Sequence, residues 1–317
     1  MELSRKSADP AAPPVAAELS STPAAGPAPA AIPAFFINRD CDTARLDSVG
    51  AYLRAAELAA ERVRAVEGLD VPAHLRPYFF EGNRLRSKLK PGEVGCYASH
   101  LVAMELIVQR NLEYALILED DAAIPHDIAA SLADVLANMP AGWDIVHISR
   151  DSNRAVKIVA DLADDRRLVR YSRVPETTTG YLISRSGAQK FLKPSKRYWP
   201  IDTDFRRPWC FGLEIYGVTS PIVHPAGFDS SIHKIGNHSR LRRGIPIPSW
   251  HCWTGNPLHT PESIAFNLRT LGALTWTICA THNATRRVVS LLGLRPAIRR
   301  LGLAEISARV ASSLAVR

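Results

Sequence analysis

Apolar and polar positions along the chain form blocks that predict strands followed by helices. Residues 35–38 and 114–118 have the length and apolar character of strands that are buried in a parallel sheet. After the first block, Leu46, Val49 and Leu53 lie at helical spacing behind Thr43, a residue suited to capping a helix. This alternation predicts an α/β fold with a mostly parallel central sheet flanked by helices.

Three adjacent acids, Glu119, Asp120 and Asp121, end the second apolar run. In open α/β sheets, ligands bind beyond the carboxyl ends of the strands, so these acids lie where a site is expected. Because side chains alternate across a strand, Glu119 and Asp121 would share one face and Asp120 the other. Neighbouring carboxylates repel one another unless a cation joins them, and oxygen ligands suit Mg²⁺ or Mn²⁺. The alternative is an ordinary strand-to-helix turn, with Asp127 capping a helix that begins at Ile128.

The segment upstream of the acids, residues 89–100, reads LKPGEVGCYASH. We expect a turn at Pro91 and Gly92, and then a helix that is capped by Ser99 and carries Leu101 and Met104 on one face. This helix would lie directly before the strand that ends in the acids.

Composition indicates one domain of catalytic size with an extension at each end. The chain has 317 residues, of which 46% are hydrophobic, enough for a single core of about 200 residues. Residues 1–33 are rich in Ala and Pro, so we expect a disordered tail, and they contain no apolar core of a signal peptide. We therefore predict a domain over residues 34–240 and an extension over residues 241–317.

The cysteines favour a cytoplasmic location. The chain has five of them, an odd and widely spaced set without a CxxC pair, which suits a reducing compartment. Cys96 is then interpreted as a small buried apolar residue.

The positive charge favours anionic partners. The net charge is +8, and residues 286–317 combine seven arginines with a single acid, Glu305. A basic amphipathic helix of this kind can lie on an anionic membrane surface. The protein would then be peripheral on the inner face of the cytoplasmic membrane. The alternative is a solvated helix that packs on the domain. Nucleic acid is not expected as a partner, because no DNA- or RNA-binding motif is present and an acidic cleft repels phosphate.

The order and spacing of several motifs resemble glycosyltransferase family 25, over residues 35–232. Members of the family begin with a strand that ends in an Ile-Asn-Leu-Asp-like segment, and an Arg lies a few residues further on. The next motifs are Ala-Val-Asp-Gly and then Gly-Glu-Ile-Gly-Cys, which is followed by Ser-His. The acidic triplet comes last. In this chain Arg39 replaces the usual Leu, and Glu67 replaces Asp. The resemblance implies donor-binding roles for nine residues: Asn38, Arg39, Arg45, Glu67, Gly68, Gly95, Ser99, His100 and Asp120.

The family implies a GT-A type nucleotide-sugar-binding fold, with a divalent ion that bridges the donor diphosphate. Glu119 and Asp121 are then the expected ligands of Mn²⁺ or Mg²⁺, and His224 or His233 is an option for a third. The ion would stabilise the negative charge of the departing nucleoside diphosphate.

Transfer with inversion also requires a base that removes the proton of the acceptor hydroxyl. The resemblance places an acid in the segment WPIDTDF at residues 199–205, where Asp202 and Asp204 are the candidates, with Asp204 as the expected base. A solvated acidic turn is the other interpretation of Asp204.

These features together predict transfer of a hexose, galactose or glucose, from a UDP-sugar to a saccharide or lipid-linked saccharide of lipopolysaccharide or a related envelope glycan. The alternatives are another GT-A nucleotide-sugar transferase with a different acceptor and a nucleotide-sugar binder without catalysis.

Overall fold

A computed structural model of the chain describes residues 32–85, 89–152, 154–228 and 260–291, with side chains described up to residue 285. Predictions for residues 1–31, for His233, for residues 241–259 and for the basic segment 286–317 therefore lie outside the described side chains. The strands are β1 (Ala34–Asn38), β2 (Glu61–Arg64), β3 (Phe80–Glu81), β4 (Arg84–Leu85), β5 (Tyr114–Glu119), β6 (Ala122–Ala123), β7 (Ile145–His147), β8 (Val156–Asp161), β9 (Arg167–Tyr171), β10 (Gly180–Ser184), β11 (Ile215–Val218) and β12 (His224–Pro225). The α-helices are α1 (Thr43–Ala55), α2 (Arg76–Phe79), α3 (Pro91–Gln109), α4 (Ile128–Ala137), α5 (Arg185–Phe191), α6 (Ile201–Phe205), α7 (Pro261–Leu271) and α8 (Ala273–Leu291).

Eight strands form one central sheet in the order β2-β1-β5-β10-β7-β11-β9-β8. The pairs β1/β2, β1/β5 and β7/β11 are parallel, and the other four pairs are antiparallel, so the sheet is mixed. Helices cover both faces, as predicted: one apolar cluster joins the sheet to α2, α3, α5 and α6, and a second joins it to α1 and α4. The predicted α/β fold is confirmed.

Helix α3 begins nine residues earlier than expected. Pro91 occupies its first turn, and the Glu93 carboxylate accepts a hydrogen bond of 2.5 Å from the Lys90 amide, which satisfies a free N–H group at the helix start. The prediction that Ser99 caps this helix was wrong. Ser99 lies inside the helix, where its hydroxyl donates to the Gly95 carbonyl at 2.7 Å and accepts from the Val66 amide at 2.8 Å.

Helices α7 and α8 contact the β8–β9 end of the sheet. Arg269 of α7 forms an ion pair of 3.0 Å with Glu214, and Asn283 of α8 donates to the Ser172 hydroxyl at 3.1 Å. None of the helices within the described ranges is long and apolar enough to cross a lipid bilayer.

His147, at the end of β7, is buried in an aromatic environment. Its ring lies 5.8 Å from Phe205 and 6.3 Å from Tyr171, measured between ring centroids. Neither ring nitrogen has a hydrogen-bond partner among the described residues. Burial lowers the pKa of His147 from 6.5 to about 4, because a charged imidazolium cannot be solvated there.

We predict that His147 makes the protein sensitive to mild acid. The unfolded chain binds a proton near pH 6.5 and the folded chain near pH 4, so the stability that a neutral His147 permits is lost as the pH falls through this window. Urea denaturation of His147→Leu should show a shallower decline between pH 6.5 and 4, by at most roughly 3 kcal/mol. His74→Leu, at a mostly exposed histidine, is the control and should follow the wild type. Equal slopes for His147→Leu and the wild type would contradict the prediction.

Candidate active site

Asp120 is fixed by groups from the first two elements of the chain. Asn38, at the end of β1, donates to one Asp120 oxygen at 2.8 Å, and Arg45 of α1 donates to the other at 2.6 Å. Asn38 is itself buried and accepts a hydrogen bond from Arg62 at 3.1 Å. The Asp120 carboxylate thus points towards α1, and its described contacts hold β1, β5 and α1 together at the carboxyl edge of the sheet.

Glu119 points to the opposite face of the sheet, as the alternation of side chains predicts. Its Oε1 atom lies 3.3 Å from Nε2 of His100 and accepts a hydrogen bond of 2.5 Å from Thr178. Burial alone would raise the pKa of Glu119, but these hydrogen bonds and the positive field of His100 lower it below its ordinary value. Nδ1 of His100 lies 2.9 Å from the Tyr181 hydroxyl, which fixes the orientation of the imidazole ring.

Asp121 has an unsatisfied carboxylate oxygen. Its Oδ1 atom is buried without a hydrogen-bond partner in the described part of the chain, and its Oδ2 atom is 3.9 Å from Arg45. Burial, followed by repulsion from Glu119, raises the pKa of Asp121 to about 6. The buried oxygen without a donor and the elevated pKa of Asp121 both indicate that Arg45 alone does not balance the negative charge at this position.

The groups around Glu119 fit a divalent cation. Cys96, His100 and Glu119 each provide one potential ligand atom, and these three atoms lie within 4.8 Å of one another. Burial and the surrounding acids raise the pKa of the Cys96 thiol well above its ordinary value. These three residues offer sulfur, nitrogen and oxygen donors, so the set is not restricted to the oxygen ligands that Mg²⁺ prefers.

Five of the residues that are predicted to bind the donor lie around the loop after β2: Arg39, Glu67, Gly68, Gly95 and Ser99. Arg39 forms an ion pair of 3.0 Å with Glu67. Gly68 has a φ of +55°, and a Cβ atom on Gly95 would lie 2.5 Å from the Val66 carbonyl oxygen, so α3 and the loop approach too closely for any larger residue. The described contacts of Gly95 and Ser99 position this loop, whereas Arg39 and Glu67 remain partly exposed at its surface.

The two acids of α6 lie in different environments. Asp204 is buried: it accepts a hydrogen bond of 2.9 Å from Tyr97 and is 3.4 Å from Arg207. Burial raises the pKa of Asp204 to about 6, although Arg197 and Arg207 oppose this shift. The fully buried Arg197 is surrounded by aromatic rings, with Phe211 and Phe191 within 4.9 Å of its guanidinium carbon. Asp204 therefore provides negative charge close to two buried arginines.

Asp202 lies close enough to the acidic site for the charge of Glu119 to affect it. It is partly buried, it accepts a hydrogen bond of 2.7 Å from the Thr203 amide, and Glu119 contributes to its electrostatic environment. Burial, followed by the charge of Glu176, raises the pKa of Asp202. An elevated pKa and partial exposure suit a carboxylate that accepts a proton.

His224, the candidate third ligand that the structure describes, lies on the strand next to Asp121. His224 is exposed on β12, which pairs with β6, and the Ala226 amide donates to the Asp121 carbonyl at 2.6 Å. Phe228 is exposed, and the centroid of its ring lies 5.4 Å from the guanidinium carbon of Arg45. The chain that follows β12 is thus adjacent to Asp121.

Sequence reasoning missed the partners that orient the metal candidates. Thr178 and Tyr181 lie in a segment with strand-like character, but no local signal shows that they contact Glu119 and His100. Cys96 was interpreted as a buried apolar residue, whereas the structure places its sulfur beside the His100 and Glu119 ligand atoms. Its spacing of four residues from His100, one helical turn, is the signal that could have suggested a shared site.

A central sheet covered by helices on both faces, with an acidic cluster at the carboxyl edge, defines a GT-A-like glycosyltransferase fold. Residues 31–205, more than half of the chain, match the family described as glycosyltransferase family 25 (LPS biosynthesis protein). The chain therefore belongs to glycosyltransferase family 25.

Individual relatives agree with this assignment. The chain is 29% identical to human procollagen galactosyltransferase 2 over 164 residues, which cover 48% of this chain and 23% of the relative. It is 30% identical to a glycosyltransferase 25 family member of Aedes aegypti, over 46% of this chain and 23% of the relative. A protein of Bos taurus named probable inactive glycosyltransferase 25 family member 3 is 29% identical over 36% of this chain and 20% of the relative. The chain thus spans about a quarter of the length of these relatives or less.

We predict that the two acids of α6 differ in their contribution to stability. Asp204→Ala should lower the free energy of unfolding by about 3 kcal/mol, because it removes the Tyr97 hydrogen bond and the negative charge of Asp204 near two buried arginines. Asp202→Ala, the matched control two residues away, should lower it by less than about 1 kcal/mol. Urea denaturation at pH 7.5 measures both values. Equal losses for the two variants would contradict the distinction.

Proposed function

We propose that this chain transfers a hexose from a UDP-sugar to a hydroxyl group of a saccharide acceptor, with the help of a divalent ion. Two observations at the end of β5 carry the proposal: ligand atoms of Glu119, His100 and Cys96 lie within 4.8 Å of one another, and Asp121, two residues after Glu119, has an unsatisfied buried oxygen and a pKa that is raised in part by the charge of Glu119. Galactose is the preferred donor sugar, because several relatives are named as galactosyltransferases. The family description supports an acceptor in lipopolysaccharide or a related envelope glycan.

Glu119 and Asp121 would hold the ion through their carboxylates, with His100 as a further ligand. Mn²⁺ suits such a mixed set of oxygen and nitrogen donors better than Mg²⁺, which keeps strictly to oxygen ligands. When bound, the ion supplies Lewis acidity that stabilises the negative charge on the departing diphosphate. The hydrogen bonds of Tyr181 to His100 and of Thr178 to Glu119 preorganise both ligands.

Asp202, rather than Asp204, is the proposed base. Asp204 is enclosed by Tyr97 and Arg207, so an acceptor hydroxyl has no access to its carboxylate in this structure. Asp202 would take the proton of the acceptor hydroxyl as that oxygen forms its bond to the sugar carbon and the bond from this carbon to the diphosphate breaks. Inversion at the sugar carbon follows from this single displacement.

A second candidate function is the binding of a nucleotide sugar without transfer. One relative is named as a probable inactive member of the family, so a member without transferase activity is a reasonable alternative. The intact acids of this chain favour catalysis.

We further propose, as an expectation from the sequence, that the enzyme acts in the cytoplasm, on the inner face of the membrane.

The first experiment is a screen of purified protein against nucleotide sugars with Mn²⁺ or with chelator, with release of nucleoside diphosphate as the readout. Metal-dependent release from UDP-galactose, with or without an added saccharide, would support transfer. If UDP binds with micromolar affinity but no donor is turned over with any saccharide, the binder is the better description.

Asp121→Asn should reduce metal-dependent UDP release by at least about 100-fold, because it removes a charged ligand without changing the size of the side chain. The circular dichroism spectrum and melting temperature should stay close to those of the wild type. Asp127→Asn makes the same chemical change at an exposed position before α4 and serves as the control. Wild-type release by Asp121→Asn would exclude Asp121 from the metal site.

A further inference from the structure

An arginine-lined cavity lies near Asp202 and is not used by the mechanism described above. Its volume is about 240 Å³, and its walls come from the loop after β7, the loop between β9 and β10, and the residue after α6. Four arginines and two acids contribute to the lining: Arg150, Arg154, Arg173, Arg206, Asp151 and Glu176. The lining therefore carries an excess of positive charge.

The acids of the cavity do not neutralise all four arginines. Glu176 forms an ion pair of 3.0 Å with Arg206, and its backbone carbonyl accepts a hydrogen bond of 2.9 Å from Arg150. Arg173 is half-buried, and its guanidinium has no ion pair within the described ranges. Burial, followed by repulsion from Arg206 and Arg154, lowers the pKa of Arg173 to about 10. Bringing like charges together in a concave site is unfavourable unless an anion binds among them.

Hydrogen bonds connect the cavity to the proposed base. Glu176 lines the cavity and lies 3.4 Å from the Thr203 hydroxyl, which is also 3.4 Å from the Asp202 carboxylate. The charge of Glu176 also contributes to the elevated pKa of Asp202. A group bound in the cavity would thus be close to the carboxylate that receives the acceptor proton.

The cavity and two of the predicted donor residues, Asn38 and Arg45, lie on opposite sides of β5. Asn38 and Arg45 approach the cluster from β1 and α1, on one side of β5. Arg150 follows β7, which is separated from β5 by β10 on the other side. Because the donor is expected beside Asn38 and Arg45, the arginines are placed for the second substrate.

We infer that this cavity binds an anionic group, a carboxylate or a phosphate, on the saccharide acceptor. The inference rests on the proposed function, since it assigns the acceptor class of the same reaction. Guanidinium groups bind both kinds of anion through paired hydrogen bonds, so the shared chemistry is a negatively charged sugar. The cavity is smaller than a typical site for a drug-sized ligand, which suits one charged sugar unit at the reacting end of the acceptor.

The test is a calorimetric titration of the full chain with four probes: galactose, galacturonate, galactose 6-phosphate and inorganic phosphate. We expect at least one anionic sugar to bind about tenfold more tightly than galactose, and more tightly than inorganic phosphate. The anionic sugar that binds more tightly identifies the preferred charge. Equal affinities for galactose and both anionic sugars, including no binding of any of them, would overturn the inference.

Arg173→Gln and Arg150→Gln should each weaken binding of that anionic sugar by at least about fivefold. Arg110→Gln, at an exposed arginine paired with Glu61, is the matched control and should bind as the wild type does. UDP with Mn²⁺ is titrated into the same variants. A parallel loss of UDP affinity in these variants would assign the arginines to the donor phosphates. If inorganic phosphate binds as tightly as the sugar, the cavity binds anions without recognising a sugar. Either result overturns the inference.

These titrations require no turnover, so their outcome is separate from that of the proposed reaction. Loss of anionic-sugar binding in the arginine variants, together with metal-dependent UDP release by the wild type, supports both claims. Metal-dependent release without selective binding of an anionic sugar leaves the transferase standing and removes the acceptor assignment.

Discussion

Repulsion among the three carboxylates at the end of β5 is the constraint on which the site depends. Glu119, Asp120 and Asp121 are consecutive, and the fold separates them by sending each to different partners. Arg45 and Asn38 stabilise Asp120 from one face, while His100 and Thr178 stabilise Glu119 from the other. Asp121 has an oxygen that no group in the described chain satisfies. Positive charge supplied from outside the protein, by a metal ion, would complete this arrangement.

A second buried charge network supports the first through α3. Tyr97 of α3 binds Asp204, while three residues further along the same helix His100 contacts Glu119. The hydrogen bond from Tyr97 to Asp204 and the aromatic rings around Arg197 hold α6 against α3. Asp202, on the partly exposed side of α6, is thereby held near the acids of β5. Helix α6 thus carries both the buried Asp204, which has a structural role, and Asp202, which we propose as the base.

The sequence allowed the layered fold and the acidic edge to be predicted, because both follow from local patterns. The apolar run before Glu119 and the alternation of side chains gave the strand and the separation of Asp120 from its neighbours. The start of α3 was misplaced because Ser99 resembles a cap, whereas its hydroxyl bonds to Gly95 and to a loop more than 30 residues away. The choice between Asp202 and Asp204 depends on burial that is set by distant residues such as Tyr97. The arginine cavity combines side chains from three separate segments, so no local pattern signals it.

The most direct test of the central claim is to locate the ion. Crystals grown with UDP and Mn²⁺ should show an anomalous scattering peak about 2.2 Å from carboxylate oxygens of Glu119 and Asp121, with the diphosphate on its open side. Bound UDP with no anomalous peak at these residues, or a peak that involves neither carboxylate, would contradict the account.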